Sequence, residues 1–142
     1  MNDSIQKRLM VVIAEPLLSQ LVSFRLELLG YSVTHCETTS HAMDQLKVVP
    51  HDVILVDTQL PDADGLEHLR KLTKAVEQNP ISLIVISLDP SLETVERAYH
   101  RGATDYLITP FDPTVLEQKI QYALIHPGTI RTDETPVEAV IV

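Results

Sequence analysis

Five short apolar runs recur along the chain at intervals of roughly twenty to thirty residues, with a helix-type pattern in every gap, and this alternation constrains the fold more than any other feature. The runs cover residues 9–14, 32–36, 53–57, 82–87 and 105–108. Val53-Ile54-Leu55-Val56 and Leu83-Ile84-Val85-Ile86 are apolar without alternation, the pattern of central strands covered by helices on both faces. A parallel sheet is expected. Pro16 sits where a first helical turn tolerates proline, and Leu18, Leu21, Val22, Leu28 and Leu29 are expected to form the inward face of a first helix ending at Gly30. Further helices are expected over 40–47, over 65–78 with Leu66, Leu69 and Leu72 on one face, between Pro90 and Gly102 with Val95 and Ala98 inward, and over 113–125. A βα unit repeated five times becomes, by the right-handed crossover rule, a doubly wound α/β sheet.

With 142 residues, the chain is of one-domain size and can bury an ordinary core without disulfides or a structural metal. Eleven Lys and Arg against twenty Asp and Glu leave a formal charge of -9. An acidic surface without a basic stripe repels phosphate backbones and anionic lipid alike, so neither nucleic acid nor membrane is expected as a partner. The single cysteine, Cys36, has no mate for an internal disulfide, and the apolar run near the N-terminus is too short for a secretory core. A cytoplasmic location is expected. The division expected is an N-terminal segment over 1–8, one domain over 9–126 and a tail over 127–142, loosely docked and too short to be an output domain. Cys36 is expected to be a buried small residue, and the six histidines, which lack zinc-ligand spacing, to lie on the surface.

Ligand crevices of open parallel sheets lie at the carboxyl ends of the strands. There the sequence offers Ala14 and Glu15, Asp57, Ser87 and Thr109. An aspartate closing a wholly apolar strand is either a loop or capping residue or a group placed for chemistry. Its context is Asp57-Thr58-Gln59-Leu60-Pro61-Asp62-Ala63-Asp64-Gly65, in which Asp62 and Asp64 are expected to shape the loop. With the fivefold pattern around it, this segment resembles the phosphoacceptor loop of a two-component response-regulator receiver domain. The resemblance extends over residues 9 to about 125. Ser87 falls at the family's Ser/Thr position, Tyr106 at its aromatic switch position, and Pro110-Phe111 at the turn after the fifth strand.

The resemblance implies the flavodoxin-like strand order 2-1-3-4-5. It also implies transfer of a phosphoryl group from a histidine kinase to Asp57, assisted by Mg²⁺. Since such transfer depends on positioning and electrostatics, the charges around the aspartate are the catalyst. Three departures bear on them. Receivers carry an acidic pair after the first strand to hold the metal, and here those positions are Ile13 and Ala14, with Glu15 one place further on, where a helix N-terminus favours a negative charge. Thr109 stands where the family has a lysine, and Leu88 stands where it has a small residue, so access to the pocket is expected to narrow. Glu15, Asp57 and Gln59 remain as weak candidates to hold Mg²⁺.

The sequence thus reads as a stand-alone, atypical receiver with weak or no Mg²⁺-dependent phosphorylation, acting as a signalling interaction module and not as an enzyme beyond, at most, its own phosphorylation and dephosphorylation. Its partner is expected to be a signalling protein or a histidine kinase, or a second copy bound through the face of the fourth helix, fifth strand and fifth helix. The alternative is a conventional receiver phosphorylated on Asp57, with Glu15 replacing the acid pair. An aspartyl-nucleophile phosphohydrolase needs a carboxylate two residues after the nucleophile, and Gln59 is there instead.

Overall fold

A computed structural model describes residues 6–63, 65–76 and 80–131. Strands β1 (Arg8–Val12), β2 (Ser32–Cys36), β3 (Val53–Asp57), β4 (Ser82–Ser87) and β5 (Asp105–Ile108) alternate with helices α1 (Pro16–Leu28), α2 (Thr39–Val48), α3 (Glu67–Ala75), α4 (Leu92–His100) and α5 (Pro113–Ile125). All strand pairs are parallel, in the order β2-β1-β3-β4-β5. This is the flavodoxin-like arrangement expected of the sequence. The order reverses between β1 and β3, so the crevice of the sheet opens where both strands end.

Alternation along each strand divides the core into two layers. Met10, Val12, Ile54, Val56, Leu83 and Val85 face α2, α3 and α4, whereas Leu9, Val11, Val53, Leu55, Ile84 and Ile86 face α1 and α5. Cys36 is fully buried, as expected. Every helix except α3 starts on a side-chain cap: Glu15, Thr38, Ser91 and Asp112 each accept a backbone N–H of the first turn. α3 begins later than the sequence pattern suggests because Gly65 has φ +60°, a left-handed conformation incompatible with a helical turn.

The buried face of α1 differs from the expected one. Ser19, Val22 and Leu26 point inward, whereas Leu21, Leu28 and Leu29 are exposed. Leucines occupy so much of this helix that its apolar positions do not mark one side, and contact with β1 and β2 makes the choice.

At the amino ends of the strands, Lys119 of α5 forms a buried ion pair with Asp105, Nζ to Oδ1 2.8 Å, and Arg131 Nε lies 4.0 Å from Asp105 Oδ2. The chain beyond α5 is seated more firmly than expected as far as Arg131. Gly128 N–H donates to Ser82 Oγ at 3.1 Å, and Arg131 N–H donates to the Thr104 carbonyl at 2.9 Å. The expectation for the rest of the tail, and for Asp64, lies outside the described residues. No helix among the described residues is long and apolar enough to cross a membrane.

Candidate functional site at the carboxyl ends of the strands

Asp57 closes β3 and is 7% exposed. Its Oδ1 accepts the Gln59 N–H at 3.0 Å. Burial holds its pKa above the usual carboxylate value, against the opposing pull of the Gln59 and Thr58 N–H groups and of His68. The next strand ends on Ser87, which is also buried. Ser87 Oγ accepts the Asp89 N–H at 3.0 Å and the Thr58 hydroxyl at 3.4 Å. Ser87 therefore closes the turn after β4 and is linked to the residue following Asp57. Thr109 reaches the same edge, its N–H donating to the Ser87 carbonyl at 2.9 Å.

On the β1 side no acid pair exists. Ile13 is fully buried in the layer shared with α1, and Ala14 packs against the opposite layer. The carboxylate of Glu15 caps α1, accepting the N–H groups of Leu17 at 3.2 Å and Leu18 at 2.8 Å. Among the described residues, no three His, Cys, Asp or Glu side chains come together to hold a metal ion. Gln59 is exposed, and its link to Asp57 runs through its backbone N–H. Leu88 is 70% exposed. It turns to solvent and does not narrow the crevice as expected.

Two further side chains fix the loop after β3. Asp62 reaches across to the N-terminus of α2, where Oδ1 accepts the Thr39 N–H at 2.9 Å and Oδ2 the Ser40 N–H at 3.1 Å. Desolvation raises its pKa, but these donors outweigh it and the net shift is downward. His68 of α3 is 1% exposed, with Nε2 3.2 Å from the Asp57 carbonyl oxygen, and Nδ1 has no hydrogen-bond partner among the described residues. The surface position expected of the histidines thus fails for His68, and also for His51, which is held between the Val49 carbonyl and the Thr34 hydroxyl. In both, burial lowers the pKa.

Tyr106 lies in the core with its hydroxyl donating to the Asp89 carbonyl at 2.8 Å. The ring is therefore turned inward and tied to the loop that follows Ser87. Asp57, Ser87, Thr109 and Tyr106 thus gather at one end of the sheet, while Glu15 turns its carboxylate to its own helix.

A family model described as the response regulator receiver domain matches residues 9–121. The chain belongs to that family. A curated relative, the uncharacterized transcriptional regulatory protein YkoG of Bacillus subtilis (strain 168), is 30% identical over 125 residues, covering 88% of this chain and 54% of the relative. The receiver therefore spans about half the length of that relative. The solved CheY-like receiver domain protein from Methanospirillum hungatei JF-1 is similar at TM-score 0.78 and 26% identity, covering 85% of this receiver and 95% of that chain. The receiver domain of sensor histidine kinase PA1611 from Pseudomonas aeruginosa PAO1 is similar in fold, at TM-score 0.75 and 23% identity over 84% of this receiver and 98% of that chain. Its structure is described with a magnesium ion coordinated in the active site cleft. Domains of this family are signalling modules of two-component systems.

Proposed function

We propose that this receiver is an atypical one that signals through protein contacts, with phosphoryl transfer to Asp57 weak or absent. The observation that carries the reading is the charge inventory of the crevice. Ile13, Ala14 and Thr109 bring no charge to it, and the carboxylate of Glu15 is engaged at the α1 cap. Mg²⁺ demands a near-octahedral oxygen shell and is held by carboxylates, of which, among the described residues, Asp57 remains in the crevice. The residues present do not fit a resident Mg²⁺ ion. Without the metal and the lysine, the crevice lacks the two cations that would offset the charge developing on a transferring phosphoryl group. Loss of one preorganised charge-stabilising group costs about 2.7–4 kcal/mol in other enzymes, so losing both lowers the rate by several orders of magnitude.

In this reading the domain comprises residues 9–126, and the face of α4, β5 and α5 contacts a signalling partner. The inward ring of Tyr106 and its bond to Asp89 hold that face in one arrangement, which does not await modification of Asp57. The test is mass spectrometry after incubation with a small-molecule phosphodonor and Mg²⁺. No phosphoryl adduct is expected. An adduct that disappears in Asp57→Asn overturns the reading and makes the domain a conventional acceptor of phosphate from a histidine kinase.

A further inference from the structure

Helix α1 carries two apolar stripes, and the fold uses only one. Val22 and Leu26 pack into the core. Leu17, Leu21, Phe24 and Leu28 are 63%, 59%, 62% and 66% exposed. These four follow one another at intervals of four, three and four residues, the spacing of the a and d positions of a heptad, which forms a seam suited to another helix. We propose that this seam is the interface between two copies of the chain, α1 packing against α1 about a two-fold axis.

The choice of a second copy as occupant rests on area, symmetry and charge. Each of the four side chains leaves on the order of 100 Å² in water, so the stripe is comparable to the largest apolar patch of an ordinary monomer. Covered by its own twin, and with its polar rim included, it buries about 1,000 Å² in total, the lower bound for a specific interface. A two-fold interface must be self-complementary. With the helices antiparallel and the axis between Leu21 and Phe24, Leu17 meets Leu28, Gln20 lies beside Glu27, and Leu18 lies beside Arg25. No like charges face one another, although each chain carries a net -9. Arg25 is moreover held by Glu117 of its own chain. The α4 side offers less: Leu88 and Leu92 are exposed there, while Val95 packs against the core.

The inference does not depend on the state of Asp57, since the stripe lies on helix α1 and involves none of the crevice residues. Sedimentation and light scattering over a concentration series provide the test. The expected result is a dimer with a dissociation constant on the order of micromolar, undiminished by added salt because the contact is apolar. Leu21→Glu and Phe24→Glu each enter the interface twice and should weaken it at least about 100-fold. Both positions are exposed, and unchanged circular dichroism confirms the fold of each variant; Leu17→Ser provides a milder second variant. Leu92→Glu should leave the dimer intact. A wild-type chain that stays monomeric at high-micromolar concentration overturns the proposal and assigns the stripe to a different protein. So does a dimer that survives both glutamate substitutions, or one that Leu92→Glu dissociates.

Discussion

Nε2 of His68 lies 3.2 Å from the backbone carbonyl oxygen of Asp57, joining the first turn of α3 to the end of β3 through a buried imidazole. Burial lowers the pKa of this ring, so the folded chain resists a proton that the unfolded chain accepts below about pH 6.5. His51 behaves likewise. Stability is therefore present at neutral pH and above, and is lost as pH falls from about 6.5 towards the lowered folded values. Asp57, whose pKa is raised, has the opposite sign: its uptake of a proton favours the fold, in the window between its raised value and 3.8. Thermal unfolding between about pH 7.5 and about pH 5 should show falling stability, with a smaller slope in His68→Leu. An unchanged slope in that variant would exclude His68 as a source.

The two positions of the missing acid pair are not equivalent. Ile13 is fully buried against the α1 and α5 layer, so Ile13→Asp buries an unpaired carboxylate and should cost about 3–5 kcal/mol in urea unfolding. Ala14→Asp should cost about 1 kcal/mol.

A repair of the crevice therefore has to use Ala14→Asp together with Thr109→Lys. Together they should bring Mg²⁺ binding and labelling of Asp57 into a measurable range, whereas each alone should do little. The acid without the lysine adds repulsion to Asp57, and the lysine without the acid leaves the metal unheld. A folded double variant that shows neither response in titration and mass spectrometry would locate the silence in backbone geometry.

Lys119→Met should destabilise the chain by about 1.5–3 kcal/mol, because it removes the 2.8 Å partner of the buried Asp105 carboxylate and leaves it the more distant Arg131 guanidinium. Lys119→Met combined with Asp105→Asn should recover part of that loss. Chemical denaturation of the single and double variants gives the coupling directly.

Gly102 adopts φ +111°, and a Cβ placed there clashes with the Thr73 side chain at Cγ2. Gly102→Ala should cost about 1–3 kcal/mol from backbone strain, with a further steric cost. Thr73→Ala removes Cγ2 and should relieve only the steric part. Additive effects of the two substitutions would rule out the contact.

The five strands and the position of Asp57 were legible because short apolar runs recur at regular intervals between helix-type patterns, and because strand ends in parallel sheets gather at one crevice. The inward face of α1 was not. Leu17, Leu18, Leu21, Leu26, Leu28 and Leu29 ring the helix, and periodicity has no purchase on a helix that is apolar on two sides. The role of His68 was hidden because its partner is a backbone carbonyl, which no residue pattern records. A signal for Lys119 did exist. It shares the stripe of Leu116, Ile120 and Ala123, and a lysine at such a position calls for a buried carboxylate, here Asp105 at the head of β5. The seating of Gly128 and Arg131 depends on the Ser82 hydroxyl and the Thr104 carbonyl, both far away in sequence.

Helix α1 packs on one layer of the sheet and α4 on the other. In the proposed dimer, two copies joined through α1 keep both α4 surfaces turned away from the join, which would make the pair a bivalent ligand. A target with two receptive sites, or one clustered in an array, gains its second contact at an effective concentration that can reach the millimolar range. Modest single affinities then add up to long residence, and signalling strength follows how densely the targets are assembled.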